Sequence, residues 1–309
     1  MGNGGSVGGN VTRDAGVRVV EIVAEIAAVL GAAGIAEAKR EATDMVAAMQ
    51  DAPRFWAATH PDAMLDAAEA EALRAAARKR AAGAPFAYAV GRAAFRHLTL
   101  LVDERVLIPR AETEQLVQVV LDEMAATPGG TAIDLGTGSG AIALSLATEG
   151  KFDRVIATDV STAALEVART NAERLQFTER RAPSAGRPPL EFRAGAWLAP
   201  VADVRARIIA SNPPYIAYEE AAALPLSVRD WEPPTALLSG DSGMRDIAYI
   251  IRGAPAVLEP GGLLALEIDS RRASLAAELA LADGHYRDVA VRLDLAGRER
   301  ILTARRGEG

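Results

Sequence analysis

The sequence contains no cysteine, which excludes disulfides, thiolate metal sites and a thiol nucleophile. Histidine is nearly as scarce. His60, His97 and His285 stand far apart, none at helical spacing from another, so each suits a surface or structural role and no metal site is expected. No apolar run approaches the roughly 20 residues that would span a bilayer, so no membrane partner is expected. The Gly-rich opening, residues 1–12, lacks the basic and hydrophobic segments of a secretory signal and reads as a flexible tail on a cytoplasmic protein. Positive charge is in deficit, 34 Lys and Arg against 41 Asp and Glu for a net charge of −7. That balance weighs against a protein that grips nucleic acid stably through many phosphates. What remains is ordinary for a soluble globular chain: 309 residues, half of them hydrophobic and about a quarter charged, enough for a large core in one or two domains.

Residues 13–84 read as an all-helical bundle, structural or substrate-recognising. Val19, Ile22, Val23, Ile26, Val29 and Leu30 fall at helical spacing before the stop signals Gly31 and Gly34. A second helix is expected over 36–50 and a third from Pro61 to about 83. The third has acids early and Arg74, Arg78, Lys79 and Arg80 late, an order that suits the helix dipole. No strand signal appears in this stretch. Residues 85–110 are expected to form a β-hairpin linker with its polar centre at Asp103-Glu104-Arg105. From 111 to 309 strand and helix patterns alternate. Strands are expected over 131–136, 154–160, 206–212 and 261–269, and helices over 111–126, 141–149, 162–175 and 246–258. This alternation implies an α/β domain with a parallel sheet covered on both faces. Two final strands, 286–295 and 298–306, have no helix between them and should pair antiparallel at the sheet edge. Residues 180–189 read as a loop.

The first chemical signal is Asp134-Leu135-Gly136-Thr137-Gly138-Ser139-Gly140, which follows a buried strand and opens a helix. A glycine turn in this context lets backbone approach a ligand closely. Asp159 ends the next strand about 20 residues on, where a carboxylate accepts hydrogen bonds from both hydroxyls of a ribose. Together they indicate an adenosine-containing cofactor. Gly136, Gly138 and Ala141 also satisfy a dinucleotide pattern, so at this point a nicotinamide cofactor stays open. So does a ligand-free turn.

The second signal is Ser211-Asn212-Pro213-Pro214-Tyr215, at the carboxyl end of the strand around Ile208 and Ile209. Ligands of doubly wound sheets lie at such strand ends. Two prolines stiffen the corner and remove two N–H donors, which leaves carbonyl acceptors free. A planar amide or exocyclic amine is a poor nucleophile because its lone pair is delocalised. The Asn212 side-chain oxygen and the Pro213 carbonyl can hold its two N–H groups and aim the nitrogen at an electrophilic methyl, with Tyr215 as a flat wall. The plain alternative is a rigid turn with a packed tyrosine. With the nucleoside signature upstream, the pair of motifs points to a methyltransferase rather than a dehydrogenase.

At these residues the sequence resembles the release-factor glutamine N5-methyltransferases, from about residue 17 to 306. The match is carried by Val106–Arg110 with Glu112-Thr113-Glu114, by the Asp134–Gly140 loop and by Ser211–Ile216. Weaker matches are Trp231–Pro233, Leu258–Gly262 and Gly297–Arg300. The resemblance implies a class I S-adenosylmethionine-dependent methyltransferase, with a Rossmann-like seven-stranded mixed sheet and a small N-terminal helical domain. It implies methylation of the glutamine in the Gly-Gly-Gln motif of a peptide chain release factor by a monomeric enzyme. By resemblance the cofactor is bound by Thr113, Asp134, Gly136, Thr137, Gly138, Gly140, Asp159, Trp197 and Asn212. The substrate is held by Arg110, Asn212, Pro213, Pro214 and Tyr215, of which Asn212, Pro213 and Tyr215 are catalytic. The chain departs from the family at Ala111, where a proline is usual, and at Arg207, where an acid is. It departs also at Asp269, where glycine is usual, and at Ala196, where an aspartate would hold the adenine amino group.

A ribosomal-protein glutamine and a nucleic-acid adenine N6 are the alternative acceptors, and a cofactor-binding scaffold is the non-enzymatic one. Arg78–Arg80 reads as a solvated helix end, Trp56 and Trp231 as packing anchors, and Glu219 and Glu220 as a solvated loop.

Overall fold

The computed structural model describes residues 16–125, 127–177 and 188–308. The opening segment 1–12 and most of the loop expected at 180–189 lie outside them. The chain divides into two compact units between Val90 and Gly91.

The first unit is built from helices α1 (Val19–Ala32), α2 (Ala38–Met49), the single turn α3 (Trp56–Thr59), α4 (Ala67–Ala81) and α5 (Phe86–Val90). The helical spacing of the apolar residues becomes one core. Ile22, Ile26 and Leu30 of α1, Met45 and Val46 of α2 and Leu73 of α4 pack together, all fully or almost fully buried. Helix α4 starts later than Pro61 suggested, because a better cap lies downstream. Asp66 accepts from the Glu69 N–H at 2.8 Å, and Glu69 accepts from the Asp66 N–H at 2.8 Å, a reciprocal capping box. A two-residue antiparallel bridge joins β1 (Val17–Arg18) to β2 (Met64–Leu65). It is too short to carry a strand pattern.

The second unit opens with the hairpin β3 (Arg92–Phe95) and β4 (Leu98–Leu101). It is shorter than residues 85–110 and turns at Arg96-His97, not at Asp103–Arg105. Arg96 takes the left-handed conformation there (φ 50°). Then follow α6 (Ala111–Met124), β5 (Thr131–Leu135), α7 (Ala141–Glu149), β6 (Arg154–Asp159), α8 (Thr162–Arg174), β7 (Leu190–Ala194), β8 (Ala206–Ser211) and β9 (Ile216–Ala217). The short turns α9 (Leu226–Arg229), α10 (Pro234–Leu237) and α11 (Gly240–Gly243), with β10 (Leu238–Ser239) pairing β9, lead into α12 (Arg245–Gly253). The chain closes with β11 (Leu258–Glu267), α13 (Ala273–Asp283), β12 (Tyr286–Leu293) and β13 (Glu299–Arg306).

Seven strands form one sheet in the order β12-β13-β11-β8-β5-β6-β7. Strands β11, β8, β5, β6 and β7 are parallel to one another, and at the opposite edge β13 pairs antiparallel with β11 and β12 antiparallel with β13. Strand β7 and helix α13 are elements that the periodicity did not mark out. Alternate residues serve opposite faces. Ala132, Ile208 and Leu263 pack under the hairpin, α6 and α7, while Ile133, Ile209 and Leu264 pack under α12 and α13. Burial on both faces explains the near-continuous apolar runs. Among the described residues, no helix is long and apolar enough to cross a membrane.

The strand order reverses at β5, which lies between β6 and β8. Register does the rest. Leu135 pairs with Thr158 on one side and Ser211 on the other, and Ser211 pairs with Leu266. The next residue of each strand therefore stands in a row along the carboxyl edge: Asp159, Gly136, Asn212 and Glu267. This row is where an open α/β sheet places its ligands.

Candidate active site

A cavity of about 380 Å³ opens over this row. Of the expected cofactor residues, Thr113, Gly136, Thr137, Gly138, Asp159, Trp197 and Asn212 line it. A smaller cavity of about 210 Å³ adjoins it, lined by Arg110, Asn212, Pro213, Pro214 and Tyr215. Asn212 and Pro214 belong to both walls.

The glycine loop is shaped by what glycine alone tolerates. Gly136, Gly138 and Gly140 have φ of 71°, 54° and 87°, the left-handed region that side chains resist. A Cβ on Gly138 would meet nothing within 4 Å, so the loop leaves that space to the cavity. The loop is then tied down on both sides. Thr137 N–H donates to the Thr158 carbonyl at 2.9 Å, and Gly138 N–H donates to Asp159 Oδ2 at 2.9 Å. The other Asp159 oxygen accepts from Ser161 N–H at 2.8 Å. Burial raises the Asp159 pKa, and these N–H donors oppose the rise.

Asp134 and Gly140, expected to touch the cofactor, lie outside the cavity wall. Asp134 is fully buried beneath the loop, where its Oδ2 accepts from Thr137 Oγ1 at 2.6 Å and Ala143 N–H at 3.0 Å. It shapes the loop and starts α7. Desolvation pushes its carboxyl up to about 7, and among the described residues Oδ1 has no hydrogen-bond partner.

The Asn212 corner is anchored by Ser211, whose hydroxyl donates to the Leu135 carbonyl at 2.7 Å. Asn212 Nδ2 donates to Thr113 Oγ1 at 3.1 Å, and Thr113 Oγ1 donates to Glu267 Oε2 at 2.6 Å. Among the described residues, neither Asn212 Oδ1 nor the Pro213 carbonyl accepts a hydrogen bond. Tyr215 is half-buried against the second hydrophobic layer, and burial raises its phenol pKa.

Arg110 borders the smaller cavity with its charge already engaged. Its Nη2 donates to Glu232 Oε1 at 2.5 Å, and Glu232 is 3% exposed. The other oxygen of Glu232 accepts from Ile108 N–H at 3.4 Å. Arg110 thus clamps the 231–238 segment to the strand-like run before α6, a positioning task rather than a free cationic ligand.

Sequence patterns passed over three carboxylates. Glu232 lay in the quoted Trp231–Pro233 run without a partner assigned. Glu267 is a lone acid ending an apolar strand, a signal in itself, since burial of a carboxylate is costly without a task. Asp246 reads as an ordinary helix-start acid. In the fold it lines the larger cavity, as Ala196 does, and accepts from Trp197 Nε1 at 3.1 Å and Ser239 Oγ at 2.5 Å. Two further expectations are corrected. Glu220 is no solvated loop acid, since it pairs with Arg271 at 2.5 Å and Arg272 at 2.8 Å. Arg80 is half-buried and paired with Glu41.

The geometry suits a nucleoside cofactor. A carboxylate pre-oriented by two N–H groups flanks an apolar cavity with a glycine floor, and a polar carboxamide marks its far wall. The comparisons agree. The family profile of the methyltransferase small domain matches residues 110–224, and that of the PrmC N-terminal domain matches residues 21–91. The release factor glutamine methyltransferase of Cereibacter sphaeroides is 43% identical over 89% of this chain and 94% of its own. That of Xylella fastidiosa is 39% identical over 82% of this chain and 88% of its own. Among solved structures, the hMettl16 catalytic domain in complex with the MAT2A 3′UTR hairpin 6 superposes with a TM-score of 0.54 at 16% identity. It covers 80% of this chain and 84% of that one. At that identity the likeness concerns the fold alone.

Proposed function

Because this chain belongs to the release factor glutamine methyltransferase family, we propose that it methylates the side-chain nitrogen of the Gly-Gly-Gln glutamine in a peptide chain release factor, with S-adenosylmethionine as donor. The observation that carries this reading is Asn212, held by Thr113 in the wall shared by two adjoining cavities. The larger cavity fits the cofactor and the smaller one the acceptor.

When bound, S-adenosylmethionine supplies a methyl group made electrophilic by its sulfonium. Gly136 and Gly138 would give its chain room, Asp159 would accept hydrogen bonds from its ribose hydroxyls, and Trp197 with Ala196 would flank the remaining wall. Asp246 presents a carboxylate on that wall, where the family's usual aspartate is replaced by Ala196. On the other side, Asn212 Oδ1 and the Pro213 carbonyl accept the two N–H groups of the glutamine amide. Both acceptors strengthen as the nitrogen loses planarity and its hydrogens gain positive charge, so they favour the transition state over the ground state. Tyr215 and Pro214 confine the planar group, and Arg110 holds the wall through Glu232. None of His60, His97 and His285 lines either cavity. Holding the acceptor nitrogen aligned toward the cofactor side of the Asn212 corner would be the main contribution of the protein.

The test is transfer of a labelled methyl group to a release factor and to its Gln→Ala variant. Label on the wild-type factor alone is the expected outcome. Label on a ribosomal protein, or on adenine in RNA or DNA, would replace the substrate.

A further inference from the structure

Glu267 lines neither cavity, yet it is 1% exposed and stands next to Asn212 in the row of strand ends. A hydroxyl carries a single hydrogen. Thr113 commits that hydrogen to Glu267 Oε2, so Asn212 meets only the lone pairs of Thr113 Oγ1. The Nδ2 end of the carboxamide alone can satisfy those lone pairs. Oδ1 must then face away, open to the cavity side.

We infer that Glu267 is a positioning residue for the methyl acceptor: through Thr113 it holds the Asn212 carboxamide with Oδ1, not Nδ2, toward the acceptor nitrogen. The inference rests on the function proposed above for its meaning, and on the hydrogen-bond chain for its geometry. Reversal of the chain would turn an N–H donor toward the N–H groups of the substrate. Donor would face donor.

The chain depends on Glu267 accepting from Thr113, and an ionised carboxylate can only accept. The carboxyl is faced by Thr113 and Glu112 of α6, Tyr215 of the corner and Arg300 of β13, and burial pushes it up to about 7. Once protonated, it brings its own hydrogen to Thr113. The Thr113 hydrogen is then free to turn toward Asn212 Oδ1.

Four variants decide the matter, each checked for folding and for cofactor binding by calorimetry. Thr113→Val and Glu267→Leu are expected to lower kcat about 100-fold, the scale for loss of one preorganised polar partner. Thr113→Ser, which keeps the hydroxyl, is expected to recover most of the kcat that Thr113→Val loses. Glu267→Gln keeps a carbonyl acceptor for Thr113 but cannot titrate. It should retain most activity at pH 8 and lack the rise in kcat through about pH 7 expected of wild type. In an Asn212→Ala background, Glu267→Leu should cause no further loss, since it acts only through Asn212. An equal loss in both backgrounds, or unchanged kcat in Thr113→Val and Glu267→Leu, overturns the inference.

A readout without substrate separates this from the proposed function. The Asn212 side-chain NH2 resonances, identified by their absence in Asn212→Ala, should titrate near pH 7 in wild type and not in Glu267→Gln. Thr113→Val should shift them at every pH. Failure of wild type to label any release factor defeats the substrate assignment, whereas resonances indifferent to these substitutions defeat the positioning role.

Discussion

At the scale of single residues, the glycine loop concentrates the strongest local constraint. Gly138 combines a left-handed backbone with open space where a side chain would go. Gly138→Ala should therefore fold, at a cost of about 1–2 kcal/mol for the conformation. Its methyl group would occupy the space that the loop leaves for the cofactor. Calorimetry should show cofactor affinity reduced about tenfold or more, equal to about 1.4 kcal/mol per decade. Unchanged affinity would mean that this part of the loop does not approach the cofactor. Arg110 teaches the opposite lesson. It was expected at the substrate and borders the smaller cavity, but its partner Glu232 stands 122 positions away, and no local pattern links the two.

At the scale of elements, two side chains join the hairpin to the methyltransferase sheet. Arg96 spans Glu149 of α7 at 2.7 Å and the Glu114 carbonyl of α6 at 3.0 Å. Asn171 of α8 is buried and fully used. Its Oδ1 accepts from Leu101 N–H at 2.7 Å, and its Nδ2 donates to the carbonyls of Leu101 at 3.0 Å and Ser139 at 2.9 Å. One carboxamide thus pins the end of β4 and the glycine loop together. Asn171→Ala would leave three backbone groups short of partners, each costing about 1–3 kcal/mol where water cannot reach. Urea unfolding should show a loss of about 3 kcal/mol or more with little change in slope. A loss below about 0.5 kcal/mol would mean that water replaces the side chain freely. These contacts make the hairpin part of the second unit, whereas its sequence position suggested a linker.

At the scale of the whole molecule, buried acids set the pH response. Asp134 and Glu267 each ionise near 7 in the folded chain, against 3.8 and 4.5 ordinarily, because burial disfavours their charge. Between those values the folded chain holds protons that the unfolded chain releases. Stability should therefore rise as pH falls from about 8 to about 5, by an amount on the order of a few kcal/mol. Asp159 shifts in the same direction. The paired acids Glu191, Glu220 and Asp269 are held low, chiefly by Arg154, by the Ala217 N–H with Arg272, and by Arg271 respectively, the last two against a burial that opposes the shift. Their contribution is present above the unfolded pKa and is lost as pH falls below about 4. Thermal unfolding across this range should peak near pH 5. Asp134→Asn keeps an acceptor for Thr137 and Ala143 without the charge, so it should flatten the acid-side rise. Higher stability at pH 8 than at pH 5.5 would contradict the buried-acid account.

The α/β order, the edge hairpin of β12 and β13 and both site motifs were legible in the sequence because each is a local signal. Apolar periodicity, glycine where φ is positive, and proline where a chain must turn depend on a few neighbouring residues. Strand β7 and helix α13 were not legible: β7 carries Glu191 and Arg193 within five residues, and α13 is so rich in alanine that no polar face stands out. The tasks of the carboxylates Glu232, Asp246 and Glu267 were not legible either, even where a lone acid at the end of an apolar strand marked Glu267 out, since what a buried charge does depends on which distant donors surround it. Those neighbours are set by strand register. Local patterns in the sequence were enough for the kind of sheet, the glycine loop and the Asn-Pro-Pro-Tyr corner. Only the tertiary structure decided that Asp159, Gly136, Asn212 and Glu267 share one edge, because four strands had to align before their ends could meet.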